Sequence, residues 1–476
     1  MPSRAALLCA LALALLAAAC SGADEASPPP ATTTQARLPA PQPPPAPARP
    51  RAKRVQVTVI DGDTRARLRR AVVSLGGRSA RSNGRGVAAF RLRRPAPLLV
   101  RAWADGYRAR TVRFPFQRRR AVTLRLYRPS LQWTMYGAGP RRTQAHGAIR
   151  LRPPFRVVWS RGIGSLVEFP AVVSEGVAYV GNYRGTIYAL SMRNGREVWR
   201  YDPPGGKMAS SPAIWGDAVV VHGMDGIVRV LDRATGRLRL RVAIGSPIES
   251  SPVVRGGVDY FGAWNGRVYA LDLRTGRLRW TLPAGYKITS SAALAGRRLY
   301  LGDYGGRLLA IDAARGRLLY ARSVNGRVYG TPAVAGGRVF VPSSTGSSLT
   351  AFTTAGRYLW RVRTGGYVYS SPAVWKGRVY FGSYDGALYA VSAATGSVRW
   401  RVSAGGPVSG AAVVVAGVAY AGSTWGRITG VDAESGAVLL RFPHGEYVPV
   451  SGNGGRLLLH GYSRIWAVEP AARTLR

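Results

Sequence analysis

The chain has 476 residues, more than one compact domain usually holds, and its 46% hydrophobic content excludes a disordered protein. Its formal net charge is +46, and only four of its 68 basic residues are lysines. Such a charge favours polyanion binding, but so strong an arginine bias is also typical of a GC-rich genome, and we expect no nucleic-acid partner.

Residues 1–19 form a predicted signal peptide. The apolar run from Ala5 to Ala19 is long enough for the core of an export signal and short for a membrane span. The segment Leu16–Cys20 resembles the lipobox of bacterial lipoproteins, although Ala17 stands where that motif prefers leucine. The resemblance implies that Cys20 is acylated and that the protein is extracytoplasmic, lipid-anchored to the cell membrane. Ordinary cleavage before the cysteine, which would leave a free thiol, is the alternative.

Residues 20–53 are predicted to form a lipid-anchored, Pro-rich linker. Their proline, alanine and threonine content cannot bury a core and favours an extended polyproline conformation. The linker would hold the following domains away from the membrane. Cys9, the only other cysteine, lies inside the signal peptide, so we expect no internal disulfide in the mature chain.

A small β-sandwich is predicted at residues 54–128. Runs such as Val55–Val59, Ala71–Leu75 and Ala121–Leu126 alternate apolar with polar residues and are separated by turn residues, as half-buried antiparallel strands should be. The stretch from Arg51 to Arg128 holds 22 basic and three acidic residues. It is therefore the expected surface for any polyanion.

The order of these elements resembles the carboxypeptidase regulatory-like domain. The resemblance rests on a first strand that ends at Asp61, the turn Asn83–Gly86 and the segment Ala104–Tyr107. It implies an accessory module without catalytic residues, which is a spacer or an interaction surface. We interpret its sharpest basic cluster, Arg118–Arg120, as a solvated hairpin rather than a binding site.

An internal repeat of 40 residues occupies positions 131–476. Within one unit, four β-type runs are separated by turn residues, and they lie at Ser370–Val374, Arg378–Gly382, Ala387–Val391 and Ser397–Arg401. Four short antiparallel strands per 40 residues predict one blade of a propeller. The residue that ends each unit recurs at a spacing of 40, with one step of 41. The eight positions are Trp159, Trp199, Leu240, Trp280, Tyr320, Trp360, Trp400 and Leu440.

The predicted fold is therefore all-β, an eight-bladed β-propeller preceded by a small β-sandwich. Seven complete blades are expected from about Pro170 to Gly445, and the inner strands of the eighth lie at the C-terminus. The missing outer strand is predicted at Phe155–Trp159, so that the two ends of the repeat close the ring.

Units such as Gly386–Gly396, followed by Trp400, resemble the PQQ-like β-propeller repeat, and Trp133–Gly137 is similar to the lead-in that often precedes it. The resemblance covers about residues 131 to 476 and implies the fold. Some members of that superfamily are quinoprotein dehydrogenases that hold PQQ and calcium. Such an enzyme would imply a cysteine pair and long insertions between strands, which this chain lacks. We expect no cofactor, no metal site and no enzymatic activity.

The ionisable residues indicate no active site. Four aspartates recur at the repeat spacing before the fourth strand, where a carboxylate can accept backbone N–H groups. They are Asp232, Asp272, Asp312 and Asp432. The histidines show neither metal-ligand spacing nor a Ser/His/Asp pattern. They are His146, His222, His444 and His460.

Two aromatic series recur with the repeat. The first is predicted to pack blades together, and its members are Trp159, Trp199, Trp280, Trp360 and Trp400. The second occupies turns between strands two and three, on the face that also carries the loops between blades. We predict that it forms a partner-binding face, with turn packing as the alternative. Its members are Tyr183, Trp264, Tyr304, Tyr384, Trp425 and Tyr462.

The leading hypothesis is a non-enzymatic, monomeric envelope scaffold that docks an envelope protein, similar to the propeller lipoproteins of the outer-membrane barrel-assembly machinery. The second hypothesis is binding of an anionic cell-wall polymer through the basic β-sandwich. The third is a PQQ-dependent dehydrogenase, which predicts uptake of the cofactor together with calcium.

Overall fold

The computed structural model describes residues 52–93, 98–116 and 119–471. The predicted signal peptide, Cys20, most of the linker and Arg118 lie outside these residues. The chain is all-β, as predicted, with two short 3-10 turns at Pro129–Leu131 and Tyr136–Ala138. Within the described residues, no helix has the length and apolar character needed to cross a membrane.

Seven strands before residue 127 form two sheets around one core. The strands are β1 (Lys53–Asp61), β2 (Val72–Leu75), β3 (Arg78–Arg81), β4 (Val87–Leu92), β5 (Leu98–Trp103), β6 (Arg110–Phe114) and β7 (Ala121–Leu126). One sheet has the order β4-β1-β7 and the other β3-β2-β5-β6. Alternation along the strands places Val55, Val57 and Val73 in the shared core, whereas Arg101 and Arg113 face solvent.

Eight further four-stranded sheets occupy the described residues after position 150. Two strands enter them from the N-terminal side, β8 (Ala145–His146) and β9 (Phe155–Gly162). The first four sheets are sheet 1, β10 (Val172–Ser174), β11 (Val177–Gly181), β12 (Ile187–Ser191) and β13 (Glu197–Tyr201); sheet 2, β14 (Ala213–Trp215), β15 (Ala218–His222), β16 (Ile227–Asp232) and β17 (Leu238–Ala243); sheet 3, β18 (Val253–Arg255), β19 (Val258–Gly262), β20 (Arg267–Asp272) and β21 (Leu278–Pro283); and sheet 4, β22 (Ala293–Ala295), β23 (Arg298–Gly302), β24 (Arg307–Asp312) and β25 (Arg317–Ser323).

The remaining four sheets repeat the same antiparallel order. They are sheet 5, β26 (Ala333–Ala335), β27 (Arg338–Ser343), β28 (Ser348–Thr353) and β29 (Tyr358–Arg363); sheet 6, β30 (Ala373–Trp375), β31 (Arg378–Gly382), β32 (Ala387–Ser392) and β33 (Val398–Ser403); sheet 7, β34 (Val413–Val415), β35 (Val418–Ser423), β36 (Arg427–Asp432) and β37 (Val438–Phe442), with β8 added beside β34; and sheet 8, β38 (Val450–Gly452), β39 (Leu457–His460), β40 (Arg464–Pro470) and β9.

The first strand of sheet 6 differs from its predicted bounds. It begins at Ala373 rather than Ser370, because the residues just before it bond to other sheets. Pro372 has no N–H to donate to a ladder, and the Ser371 hydroxyl accepts from Thr331 N–H of sheet 5 at 2.9 Å. The second, third and fourth strands lie within two residues of the predicted bounds.

A chain of hydroxyl groups links successive sheets near their first strands. Each backbone N–H donates to the hydroxyl 40 residues further along, which belongs to the next sheet. The links are Ser211 to Ser251 at 3.0 Å, Ser251 to Ser291 at 2.8 Å, Ser291 to Thr331 at 3.2 Å and Thr331 to Ser371 at 2.9 Å. These bonds satisfy buried backbone groups that no strand ladder reaches.

Tryptophans of the fourth strands contact the following sheet in a repeated geometry. Each indole N–H donates to a backbone carbonyl 33 or 34 residues further along, and the acceptors for Trp159, Trp199, Trp280, Trp360 and Trp400 are Met192, Arg233, Ala313, Ala393 and Ala433. The indole of Trp159 also covers Gly195, where φ is +68° and a Cβ would lie 2.6 Å from the ring. The turn beneath the indole therefore requires glycine at position 195.

The two ends of the repeated region meet in sheet 8. Strand β9 pairs with β40 from Phe155↔Pro470 to Gly162↔Arg464, which is the pairing that the sequence predicted. Between sheets 8 and 1, Nε2 of His460 accepts a hydrogen bond from Ala171 N–H at 3.2 Å. Burial lowers the pKa of His460 to about 4, so the ring is neutral and able to accept at neutral pH.

Residues 132–149, the crossing segment, run across the first strands of most sheets. Trp133 pairs with Val173 of sheet 1. Five other contacts are backbone N–H to carbonyl bonds, from Ile214 to Thr134, Leu294 to Pro140, Val334 to Arg141, Val374 to Thr143 and Val414 to Gln144. The segment thereby bonds to sheets 1, 2, 4, 5, 6 and 7 and closes one end of the space that the first strands enclose.

Arg142 fixes the crossing segment from within. Its side chain is fully buried, and the guanidinium donates to the carbonyls of Ala292 at 2.9 Å, Ser251 at 3.0 Å and Pro252 at 2.8 Å, as well as to Tyr136. Burial lowers the pKa of Arg142 to about 10, which still leaves the group charged at neutral pH. Carbonyl dipoles from three parts of the chain therefore replace its hydration shell.

Asp63, in the turn after β1, joins the N-terminal sheets to the rest of the chain. Its carboxylate accepts from the side-chain amides of Gln132 and Asn453, both at 2.9 Å. Burial raises the pKa of Asp63 to about 7. This contact ties the N-terminal sheets both to the crossing segment and to sheet 8.

We expect Arg142→Met to destabilise the protein by about 3 kcal/mol or more, because at least four buried carbonyls would lose their charged donor. Arg141→Met is the matched control, since that side chain is exposed. Thermal unfolding followed by circular dichroism checks both variants. Equal melting temperatures for the two would contradict the anchoring role of Arg142.

Candidate functional site

The second aromatic series lies on one face of the sheets, in the turns where the sequence placed it. Each turn bonds to the loop that joins two sheets, as Trp264 N–H does to Pro247 O at 3.0 Å and Tyr384 N–H to Tyr367 O at 2.9 Å. We call these six residues the aromatic rim: Tyr183, Trp264, Tyr304, Tyr384, Trp425 and Tyr462. Trp425 is 76% exposed and Tyr462 58%, whereas the others are exposed by 38% or less.

The structure gathers part of the aromatic rim into one cluster. Tyr304 contacts Tyr329 at 4.5 Å between ring centroids, Tyr329 contacts Tyr369 at 5.0 Å, and Tyr369 contacts Tyr384 at 4.9 Å. Among the described residues, Tyr183, Trp425 and Tyr462 make no ring contact with this cluster. The rim is therefore a continuous aromatic surface over sheets 4 to 6 and a set of separate rings elsewhere.

Lys287 joins Trp264 to the same cluster. Its Nζ lies 3.2 Å from the ring centroid of Trp264 and 5.0 Å from that of Tyr304. The indole N–H of Trp264 donates to Oε2 of Glu249 at 3.0 Å. The Lys287 ammonium group, the Trp264 ring and the Glu249 carboxylate therefore hold one another in place on this face of the sheets.

A cavity of about 150 Å³, the axial cavity, lies inside the aromatic rim. Its lining includes the rings of Phe169, Tyr329, Tyr369 and Tyr447. Tyr136 of the crossing segment closes its inner end, and the phenol hydroxyl bonds to Ser371 at 3.1 Å.

Two carboxyl groups enter the axial cavity. Burial, with a further contribution from Glu249, raises the pKa of Glu168 to about 7. Burial also raises the pKa of Glu249, against the opposing effects of the Trp264 hydrogen bond and Lys287. The lining contains no lysine or arginine. At neutral pH the cavity therefore carries partial negative charge without an internal cation to balance it.

Six of these lining residues, which were not predicted, share a signal in the sequence. Each of the six follows a buried aliphatic residue in the loop before a first strand, as Glu249 follows Ile248 and Tyr329 follows Val328. Five recur at a spacing of 40, and they are Glu249, Thr289, Tyr329, Tyr369 and Ser409. Glu168 occupies the equivalent place after Val167.

The aspartates and histidines take structural positions. Oδ1 of Asp232 accepts N–H groups of Ala234 and Thr235, and the other three repeated aspartates make equivalent turn contacts. His222 is fully buried, with Nε2 2.7 Å from Asp259. No group of three or more metal-ligand side chains occurs in the described part of the chain.

A family model described as outer membrane protein assembly factor BamB matches residues 130–287, 264–366 and 349–444. The chain belongs to this family. Among curated relatives, the assembly factor BamB of Bordetella pertussis is 28% identical over 91 residues, which are 19% of this chain and 23% of that protein. Quinohemoprotein alcohol dehydrogenase ADH IIB of Pseudomonas putida is 31% identical over 81 residues, 15% of this chain and 12% of the enzyme. The matched segments thus span less than a quarter of these relatives.

Solved structures agree on the fold of the family. BamB from Moraxella catarrhalis superposes with a TM-score of 0.58 at 18% identity, over 68% of this chain and all of that one. Quinohemoprotein alcohol dehydrogenase from Comamonas testosteroni gives 0.62 at 15% identity, over 72% and 82%. The predicted propeller-type, PQQ-like repeat fold is therefore confirmed.

The axial cavity does not fit PQQ, the cofactor considered in the sequence analysis. PQQ is a polycarboxylate and needs cations or hydrogen-bond donors around its acid groups. The lining offers no lysine or arginine, and Glu168 and Glu249 would repel the cofactor.

We expect Glu168→Gln to stabilise the protein at pH 8, by up to about 3 kcal/mol, and to have little effect near pH 4.5. The folded-state pKa is raised, so the native state binds the extra proton, and stability is lost as pH rises from 4.5 through 7. Glutamine removes this loss. Chemical unfolding at both pH values checks the difference, with the surface variant Glu197→Gln as control. An unchanged or lower stability of Glu168→Gln at pH 8 would contradict a buried, uncompensated carboxylate.

Proposed function

We propose that this chain is a non-enzymatic cell-envelope lipoprotein whose propeller is a protein-binding scaffold. The observation that supports this function is the aromatic rim, which presents partly exposed rings around the open mouth of the axis. Aromatic side chains supply much of the binding energy at protein interfaces. The name of the matched family, outer membrane protein assembly factor, agrees with a protein partner in the envelope.

The proposal includes an architecture and a location. We infer that the eight four-stranded sheets are eight blades and that the two N-terminal sheets are a carboxypeptidase regulatory-like β-sandwich. We further propose that residues 1–19 direct export, that Cys20 is lipidated and that the linker spaces the monomer from the membrane. Mass spectrometry of the protein purified from membranes would detect acylation of Cys20, and an unmodified thiol there would reject the anchor.

We expect the exposed aromatic rim to be required for partner capture. The bait is the exported chain with Cys20→Ser, incubated with solubilised cell envelope at low and at high salt. Because the contact is mainly apolar, the parent chain should retain a defined protein at high salt. The triple variant Trp264→Ala, Tyr384→Ala and Trp425→Ala should capture at least tenfold less of that protein.

The control is Tyr358→Ala, which removes a 54% exposed phenol from another surface of the chain. It should retain the partner at the parent level. Equal loss in the control and rim variants, or retention by the rim variant, would reject docking on this face.

Polymer binding by the N-terminal sheets is a second candidate, favoured by one specific surface. Strand register places Arg81, Arg101 and Arg113 on the outer face of the β3-β2-β5-β6 sheet, with Trp103 and the 65% exposed Leu99. The guanidinium of Arg101 lies 5.5 Å from the Trp103 ring centroid. Exposed cations beside a ring are suited to an anionic glycopolymer.

We expect any such binding to fall steeply with salt and to depend on that face. Changing Arg81, Arg101 and Arg113 to Gln should abolish sedimentation with purified anionic wall polymer at low salt. The control changes an equal number of exposed arginines elsewhere, Arg237, Arg277 and Arg357. If both triple variants lose binding equally, the interaction follows net charge and not this surface.

A further inference from the structure

The axial cavity differs in charge from the rest of the chain. The protein has a formal net charge of +46, yet the lining holds two glutamates and neither lysine nor arginine. No cation or hydrogen-bond donor among the described residues offsets the raised pKa of Glu168. A carboxyl group kept in this position lowers stability at neutral pH, and a bound cation would remove that cost.

The rings of the cavity have the arrangement that attracts cations. Tyr329 and Tyr369 meet edge to face at 5.0 Å with an interplanar angle of 62°, and Phe169 meets Tyr136 in the same way at 5.4 Å and 72°. One of these rings already contacts a cation, because the Arg142 guanidinium lies 5.5 Å from the Tyr136 ring centroid. The electron-rich faces of aromatic rings attract ammonium and guanidinium groups.

The mouth of the cavity already holds a cation of this kind. Lys287 places its ammonium group over Trp264 at 3.2 Å, next to Glu249, which accepts a hydrogen bond from the same indole. The chain therefore contains an internal example of a basic side chain held by a ring and a carboxylate at this site. At the inner end of the cavity the Arg142 guanidinium lies 5.5 Å from the Tyr136 ring centroid, but the lining itself holds no lysine or arginine.

Thr289 supplies a further observation that points to a ligand. It is 4% exposed, lines the cavity, and its Oγ1 has no hydrogen-bond partner within 3.5 Å among the described residues, although it lies close enough to the Tyr304 hydroxyl to oppose the rise in the pKa of that phenol. A buried hydroxyl is usually satisfied, so an external group is the expected partner. The N–H of a guanidinium or ammonium group would satisfy its oxygen.

We propose that the axial cavity receives a basic side chain, arginine or lysine, from the protein that docks on the aromatic rim. The proposal rests on the scaffold function and defines the partner further. The rim supplies apolar contact area, and Glu168 and Glu249 select a segment that presents a cation at its centre. Thr289 accepts one N–H from that side chain.

The test compares two probes that differ mainly in charge, N-acetyl-arginine amide and N-acetyl-citrulline amide. Calorimetric titration of the parent chain at pH 8 should show at least tenfold weaker binding of the neutral citrulline probe. Glu168→Gln with Glu249→Gln should abolish this preference, while the surface variant Glu197→Gln should preserve it. Equal affinity for the two probes, or an unchanged preference in the double variant, would overturn the proposal.

The pH dependence provides a second readout. The groups that face Glu168 are Glu249 and Tyr447, and Lys287 faces Glu249. Affinity of the parent for the arginine probe should fall several-fold between pH 8 and pH 5.5 as the carboxylates become protonated. The fall should be absent from the double Gln variant. A parent affinity that does not change with pH would contradict the role of Glu168.

The outcome for the partner separates this inference from the scaffold function. If envelope capture is lost in the rim variant but unchanged in the double Gln variant, the scaffold function stands and the cation site is rejected. If no protein is captured and the arginine probe still binds through the glutamates, the scaffold is rejected and the site belongs to a free organic cation.

Discussion

One buried guanidinium holds the centre of this protein together. Arg142 bonds to carbonyls of Ser251 and Ala292, which lie 109 and 150 residues away along the chain, and to the crossing segment itself. Without that charge the crossing segment would present several unpaired carbonyls in a buried site. With it, the segment stays bonded to six of the sheets and places Tyr136 in the lining of the axial cavity.

The repeat period was sufficient to predict most of the fold. Four strands recur every 40 residues, with an indole bonded to the next sheet in five of the sheets and hydroxyl links from the loop before sheet 2 to the loop before sheet 6. The pairing of β9 with β40 also followed from the period, because one outer strand was missing at the C-terminus. The crossing segment did not follow, since its sequence is not periodic and each of its bonds goes to a different sheet.

The sequence predicts the turns in which the six rim residues lie, but not which rings contact one another. A turn between strands two and three can be located from sequence, and all six rim residues occupy such turns. Which rings touch depends on the loops from neighbouring sheets, which bring Tyr329 and Tyr369 between Tyr304 and Tyr384. Only the folded chain shows that contact. The same holds for Glu168 and Glu249, which lie in loops 81 residues apart in the sequence and meet only in the lining of one cavity.

The repeats also serve as an internal comparison that separates structural from functional positions. Positions that hold the sheets together vary within narrow limits: the linking hydroxyls from Ser211 to Ser371 are all Ser or Thr, and the residue that ends each unit is Trp in five sheets and Leu or Tyr in the other three. In the loop before each first strand, the aliphatic residue is likewise retained for packing. The next residue is Glu, Thr, Tyr or Ser before six of the sheets, where it lines the axial cavity, whereas Ala209 and Pro449 stand at the equivalent places before sheets 2 and 8 and are not part of the lining. The six side chains give the cavity an asymmetric lining, which is the kind of surface that the proposed single ligand at the axis would match.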